Sequence, residues 1–239
     1  MNPAPGRKVI FALDVPTLDE ANRFAALLSE KVAFFKVGLE LFTAFGKDAV
    51  RCVKERGGRV FLDLKFHDIP NTVSHAAEEA VKLGVDMFNV HASSGSEMMR
   101  ETAERCRNAA QKSGLPRPLV IAVTVLTSMD EPAIREVGLQ GPLEERVVSL
   151  AVLAQEAGLD GVVASPKEIV PIRRRCGAEF LIVTPGIRPA FDRPKDDQKR
   201  VMTAREAVTA GASYLVIGRP VRLAPDPAAA MDEVLREIG

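Results

Sequence analysis

Phe61-Leu-Asp-Leu-Lys-Phe-His-Asp-Ile-Pro-Asn-Thr72 leads straight into a helical pattern from Val73 to Leu83 that stops at Gly84. With Arg59 and Val60 ahead of it, the first half reads as a strand, Arg59 to Phe66, and the next strand follows at Met87 to Ala92. Strand, turn, helix and strand in that order is a βαβ unit, which implies parallel pairing. Side chains alternate along a strand, so Leu62, Leu64 and Phe66 share one face and Phe61, Asp63 and Lys65 the other. An acid and a base two residues apart in an apolar run are costly unless paired. The segment alone leaves two readings open: a structural ion pair at a strand end, or charges kept there for chemistry.

The same unit recurs in both directions. Ahead of it stand the strand Lys8 to Val15, a helix capped by Thr17 with Glu20 three residues on, the strand Phe34 to Gly38, and a helix Glu40 to Arg56 stopped by Gly57-Gly58. After it come a polar helix ending near Lys112, the apolar strand Pro118 to Leu126, a helix Leu143 to Ala157 and a strand Gly161 to Ser165. A helix Lys167 to Arg175, a strand Glu179 to Ile187, a helix Thr203 to Ala210, a strand Ser213 to Ile217 and a last helix Pro227 to Ile238 complete the chain. Eight strand–helix units without a long linker predict a single α/β domain over residues 1–239, a (β/α)8 barrel. The rival, an open doubly wound sheet, lacks support, because Asp14-Val-Pro-Thr17 stands where a glycine-rich dinucleotide turn would be.

Composition narrows the function. Lys plus Arg and Asp plus Glu both number 32, so there is no global basic field to hold nucleic acid. No apolar run reaches membrane-spanning length, and Met1 to Arg7 is short and polar with no signal core behind it. Cys52, Cys106 and Cys176 lie far apart, which fits reduced thiols better than a disulfide framework or a zinc site. A cytoplasmic protein with neither membrane nor nucleic-acid partner is expected.

In a barrel of this kind the chemistry sits at the C-terminal ends of the strands. The polar residues there are Asp14, Lys36, Asp63, Lys65, His91, Thr127, Ser128, Arg188 and Arg219. Strand parity points Asp14, Lys36, Asp63 and Lys65 inward together. Alternating lysines and aspartates keep one another ionised. Their near-neutral sum is a poor metal site and suits a metal-free site that works by placing charge. His91 reads as a structural strand-end histidine, and His67 and His75 fit no nucleophile or metal pattern. Thr184-Pro-Gly-Ile-Arg188 and Val216-Ile-Gly-Arg219 end the seventh and eighth strands, the pair of loops between which a phosphate commonly binds. Ordinary turn glycines beside solvated arginines are the alternative. The polar, proline-marked stretch 188–202 is either a lid at the barrel mouth or a surface loop.

These segments together resemble the orotidine 5′-phosphate decarboxylase family over nearly the whole chain. The similarity rests on Phe11-Ala-Leu-Asp-Val15, Phe35-Lys-Val-Gly38, Asp63-Leu-Lys-Phe-His-Asp-Ile-Pro-Asn-Thr72 and Val123-Thr-Val-Leu-Thr-Ser128. It extends through Val183-Thr-Pro-Gly-Ile-Arg188, Asp196-Asp-Gln198 and Val216-Ile-Gly-Arg219. The resemblance implies decarboxylation of orotidine 5′-monophosphate to uridine 5′-monophosphate, the last step of de novo UMP synthesis, with no metal or cofactor. It makes Lys36, Asp63, Lys65 and Asp68 a catalytic tetrad, with Lys65 the proton donor to C6 of the pyrimidine and Asp63 beside the leaving carboxylate. Lys36 and Asp14 would meet the ribose, Thr127 and Ser128 the base, and Arg188, Gln198, Gly218 and Arg219 the phosphate. Asp68 and Thr72 would reach into the site of a second copy, so a homodimer is implied. Asp63-x-Lys65-x-x-Asp68 also occurs in keto-sugar-phosphate decarboxylases that use magnesium. That activity, and a phosphate-binding barrel without catalysis, are the rival functions.

Overall fold

The computed structural model describes residues 7–192 and 202–239. Its eight strands are β1 (Val9–Ala12), β2 (Phe34–Gly38), β3 (Val60–Phe66), β4 (Met87–His91), β5 (Leu119–Val123), β6 (Gly161–Val163), β7 (Leu181–Thr184) and β8 (Tyr214–Ile217). They pair in parallel in sequence order, and β8 pairs back onto β1 to close a barrel. The helices of the described residues are α1 (Leu18–Leu28), α2 (Leu39–Phe45), α3 (Lys47–Lys54), α4 (Pro70–Lys82), α5 (Ser96–Ser113), α6 (Glu131–Glu136), α7 (Leu143–Glu156), α8 (Ile169–Cys176), α9 (Ala204–Ala210), α10 (Arg219–Arg222) and α11 (Pro227–Ile238). This is the (β/α)8 architecture that the eight repeating units predict.

Alternation along the strands divides the core into two shells. Ile10, Phe34, Phe61, Met87, Ile121, Val183 and Tyr214 fill the barrel interior. Their neighbours Val9, Phe11, Phe35, Val60, Leu62, Phe88 and Ile182 pack outward against the helices. Each fully buried large side chain of this kind is worth about 1.5–3 kcal/mol. Truncation of Phe88, which is completely buried, costs about 3–5 kcal/mol once the cavity left behind is included.

Several boundaries differ from the sequence reading. The helix expected over Glu40 to Arg56 is two helices, because Gly46 adopts φ 53° and ψ −130°, a conformation that leaves the helical region and that glycine reaches without strain. The strands expected over Pro118 to Leu126 and Glu179 to Ile187 pair only over β5 and β7. Val125 is buried outside the ladder, so apolar runs report burial rather than pairing. The short α6 and α10 have too few turns to generate a readable period.

The N-terminal mouth of the barrel is closed by ion pairs. Asp86 accepts the Val60 N–H at 2.7 Å and pairs with Lys54 at 3.0 Å. Asp160 accepts the Val120 N–H at 2.7 Å and holds both terminal nitrogens of Arg117, at 2.6 and 2.9 Å. Each aspartate thereby ties a strand start to its neighbour, a role in stability rather than chemistry.

Candidate active site

The register explains why three charges meet at the opposite mouth. Ala12 stands against Lys36 and Gly38 against Asp63, so continuing the β1–β2 register by two residues brings Asp14 against Gly38. Gly38 thus separates two inward carboxylates and contributes no side chain. The Lys36 ammonium rises into that slot. Its Nζ lies 3.1 Å from Asp14 Oδ1 and 3.3 Å from Asp63 Oδ2, and a Cβ on Gly38 would sit 3.0 Å from it. The inward grouping of Asp14, Lys36 and Asp63 is therefore as strand parity predicts.

Lys65 completes the group by a different route. The predicted faces hold: Leu62, Leu64 and Phe66 pack with the outer shell, and Phe61 lies inside. The extended backbone behind that prediction does not. Leu62 faces Phe88 and Phe66 faces Val90, so β3 takes four steps where β4 takes two. Lys65 itself has φ 54°, the one non-glycine residue with positive φ among the described residues. The kink brings Lys65 Nζ to 2.7 Å from Asp63 Oδ1.

Asp63 thus sits between two ammonium groups. Burial alone would push its carboxyl upward, but Lys36, Lys65 and the hydrogen bonds from Lys65 and Asn89 outweigh it and hold the pKa below the usual carboxylate value. For Lys36, burial pulls the ammonium downward, and Asp63 and Asp14 overcome it, so its pKa lies above the usual lysine value. The Asp63 carboxyl, lowered, and the Lys36 ammonium, raised, therefore keep each other ionised at neutral pH.

Asn89 is the member that the sequence reading missed. Its Nδ2 donates to Asp63 Oδ1 at 2.7 Å, and its Oδ1 accepts the Lys65 N–H at 2.8 Å. The available signal was an amide at an inward position of the apolar strand Met87-Phe-Asn-Val-His91, where a buried polar side chain must find partners. His91, at the end of the same strand, stacks on His67 with ring centroids 5.0 Å apart. Burial, then His67 and Lys65, lower its pKa, in keeping with a neutral structural histidine.

Lys36, Asp63 and Lys65 form one side of a cavity of about 190 Å3. Phe61, Val123, Val163, Val183 and Pro185 supply apolar surface, and Thr127 lies on its wall. Ser128 is exposed beside Thr127 and does not line the cavity. Asp68 and Thr72 are also exposed and outside it, and the Asp68 carboxylate turns onto the Ile69 N–H at 2.7 Å. Within one chain the structure therefore unites three of the four tetrad residues.

The two arginine loops do converge. Arg188 and Arg219 line one open cavity of about 410 Å3, where Arg188 Nη1 holds Asp192 Oδ2 at 2.9 Å. Gly218, which precedes Arg219, stands close to the charged group: a Cβ there would lie 3.1 Å from Ala12 Cβ and 3.9 Å from Asp14 Oδ2. The stretch 188–202 is joined at its base by a bridge between Ile187 and Met202. Gln198, with Asp196 and Asp197, lies outside the described residues.

The structure thus sets a charged inward group at the ends of β1, β2 and β3 and a pair of arginines after β7 and β8. A family model described as orotidine 5′-phosphate decarboxylase / HUMPS family matches residues 7–234. The chain belongs to the orotidine 5′-phosphate decarboxylase / HUMPS family. The orotidine 5′-phosphate decarboxylase of Moorella thermoacetica is 58% identical over 232 residues, which span 97% of this chain and 92% of the relative. That of Geobacter sulfurreducens is 56% identical over 231 residues, 97% of this chain and 95% of the relative. The crystal structure of orotidine 5′-phosphate decarboxylase from Lactobacillus acidophilus superposes with a TM-score of 0.85 at 39% identity, covering 98% of this chain and 99% of that one.

A larger cavity, about 690 Å3, opens at the N-terminal mouth between Arg59, Asp86, Arg117 and Asp160. Size does not make it the decarboxylase-family site. Its charges are consumed by the ion pairs and backbone hydrogen bonds that close the barrel, whereas the smaller cavity faces the strand ends.

Proposed function

We propose that this chain removes CO2 from orotidine 5′-monophosphate to give uridine 5′-monophosphate. The observation that carries the reading is Asp63, buried between the Lys36 and Lys65 ammonium groups on one side of a cavity that is otherwise mainly apolar. An apolar enclosure takes a flat pyrimidine ring, and the three charges face its edge.

Loss of CO2 from C6 leaves an electron pair in the ring plane, where the π-system cannot accept it. Lys65 supplies a fixed positive charge at that edge. As the C6–carboxylate bond breaks, the pair stays on C6 and CO2 departs. An N–H proton of Lys65 then passes to C6, and the neutral amine regains a proton from water. A preorganised charge in an enclosed site contributes about 3 kcal/mol to such a step, about a hundredfold in rate. Asp63 lies beside the position of the substrate carboxylate and holds Lys65 until that carboxylate arrives. Lys36 and Asp14 meet the ribose, and Thr127 and Ser128 the base. Arg188, Gly218, Arg219 and Gln198 hold the phosphate, whose remote binding energy helps assemble the closed site. The substrate phosphate would take Arg188 from Asp192. The reading includes no metal or cofactor, since both Asp63 oxygens already face ammonium groups.

Asp68 and Thr72 act from a second copy in this reading. Support comes from their exposure outside their own cavity, at the entry to α4, where Ile69 is 65% exposed. Three buried free cysteines, and no helix among the described residues long and apolar enough to cross a membrane, support a place in the reducing cytoplasm.

The test is the ultraviolet absorbance of orotidine 5′-monophosphate mixed with the purified protein in excess EDTA. Loss of the substrate band with uridine 5′-monophosphate as product is the expected result. An inert substrate, with a folded protein and a working control enzyme, would overturn the reading, and magnesium-dependent turnover of a keto-sugar phosphate by the same protein would favour that rival instead.

A further inference from the structure

We propose that Asn89 is a positioning residue for the reaction: one amide fixes both the Asp63 carboxylate and the kinked backbone that aims Lys65. The inference rests on the decarboxylase reading for its chemistry and on geometry for its substance.

A lysine in the left-handed region is strained by about 1–2 kcal/mol and persists only if its surroundings hold it there. The irregular β3–β4 pairing removes Lys65 from the regular ladder, and its N–H is satisfied by the Asn89 side-chain oxygen at 2.8 Å. The amide nitrogen of the same side chain donates to Asp63 Oδ1 at 2.7 Å, the oxygen that also receives Lys65 Nζ at 2.7 Å. Asp63 Oδ2 is thereby turned toward Lys36, 3.3 Å away. Asparagine meets a particular demand here. It must accept from a backbone N–H and donate to a carboxylate at once, from a position 1% exposed. Aspartate lacks the donor, leucine lacks both functions, and serine is one bond too short to span the two groups. Asn89 touches no reacting atom in this account; it acts through Asp63 and Lys65.

A pH-dependent signature follows. The groups facing Asp63 are Lys36 on β2, Lys65 on β3, and Asn89 and His91 on β4, with Asp14 behind Lys36 and His67 stacked on His91. Of these, Asn89 is an uncharged donor that favours the ionised form of Asp63. Its removal raises the Asp63 pKa and carries the acidic limb of activity toward neutral pH.

The experiment compares the full-length protein with Asn89→Ala and Asn89→Asp, the second keeping an acceptor for Lys65 N–H in case the first folds poorly. Expected are a kcat lower by about 10- to 100-fold, as for loss of a hydrogen bond to a charged group, and a KM within about threefold of the parent. The acidic limb of kcat moves to higher pH, and a 13C titration shows the Asp63 carboxyl midpoint displaced in the same direction. A folded variant with unchanged kcat and an unmoved Asp63 midpoint would refute the role. If the parent protein itself leaves orotidine 5′-monophosphate untouched, the decarboxylase reading fails separately, and the Asp63 titration still decides whether Asn89 positions that carboxylate.

Discussion

Replacement of Gly38 by alanine tests the charged site without deleting a charge. The backbone there, φ −95° and ψ −174°, is open to alanine, so no strain enters through the main chain. The new methyl would lie 3.0 Å from Lys36 Nζ and 3.5 Å from Asp14 Oδ1. The first distance is too short, and the yielding atom is the end of a flexible side chain, so the fold survives and the ammonium moves. A retreat of about 0.5 Å weakens each of the two ion pairs by about 0.7 kcal/mol at an effective dielectric constant of about 20, roughly 1.4 kcal/mol in all. If that loss falls on the transition state, kcat drops about tenfold. The direction of the Lys36 pKa gives a second readout. Burial lowers it and the two carboxylates raise it, so weaker carboxylate contacts let burial prevail and the basic limb of kcat shifts to lower pH. The assay is the pH–rate profile for loss of orotidine 5′-monophosphate absorbance, with thermal melting as the control for folding. A Gly38→Ala protein that melts normally and retains the parent kcat and basic limb would refute the claim that the empty position organises the site.

Mixing inactive Lys65→Ala with inactive Asp68→Asn protein should restore part of the activity, because one site of a mixed dimer takes both residues from unaltered copies; no recovery despite demonstrated subunit exchange would count against the shared site. Asp160→Ala should lower stability by about 1–3 kcal/mol in urea while leaving kcat unchanged, since the Asp160 pairs to Arg117 and Val120 N–H lie at the mouth away from the chemistry. A large loss of kcat without loss of stability would contradict that division. Native Cys52, Cys106 and Cys176 should resist a thiol reagent at pH 8, Cys106 most of all because burial pushes its thiol up to about 11, and all should react in denaturant; rapid labelling of the native protein would show that the thiols are accessible.

The repeat of strand and helix determined the barrel, because hydrophobic period and turn residues are local properties. Period-two alternation likewise determined that Asp14, Lys36 and Asp63 face inward, and their positions at strand ends marked the chemical face. The arginines after the seventh and eighth strands were legible for the same reason, and the structure brings both to one cavity. What only the tertiary structure decided is how these groups meet. The Gly38 slot exists because β1 and β3 flank β2 at one particular register, and register is fixed by core packing between segments about 25 residues apart rather than by any pattern within one of them. The positive φ of Lys65 and its support by Asn89 arise from an irregularity in the β3–β4 pairing, whereas alternation assumes an even ladder. Asp68 and Thr72 lie beyond both accounts within one chain: their place in the motif was readable, but they are exposed and do not line their own cavity. The residues were written in the sequence, and the distances between their charged atoms came from closing the barrel.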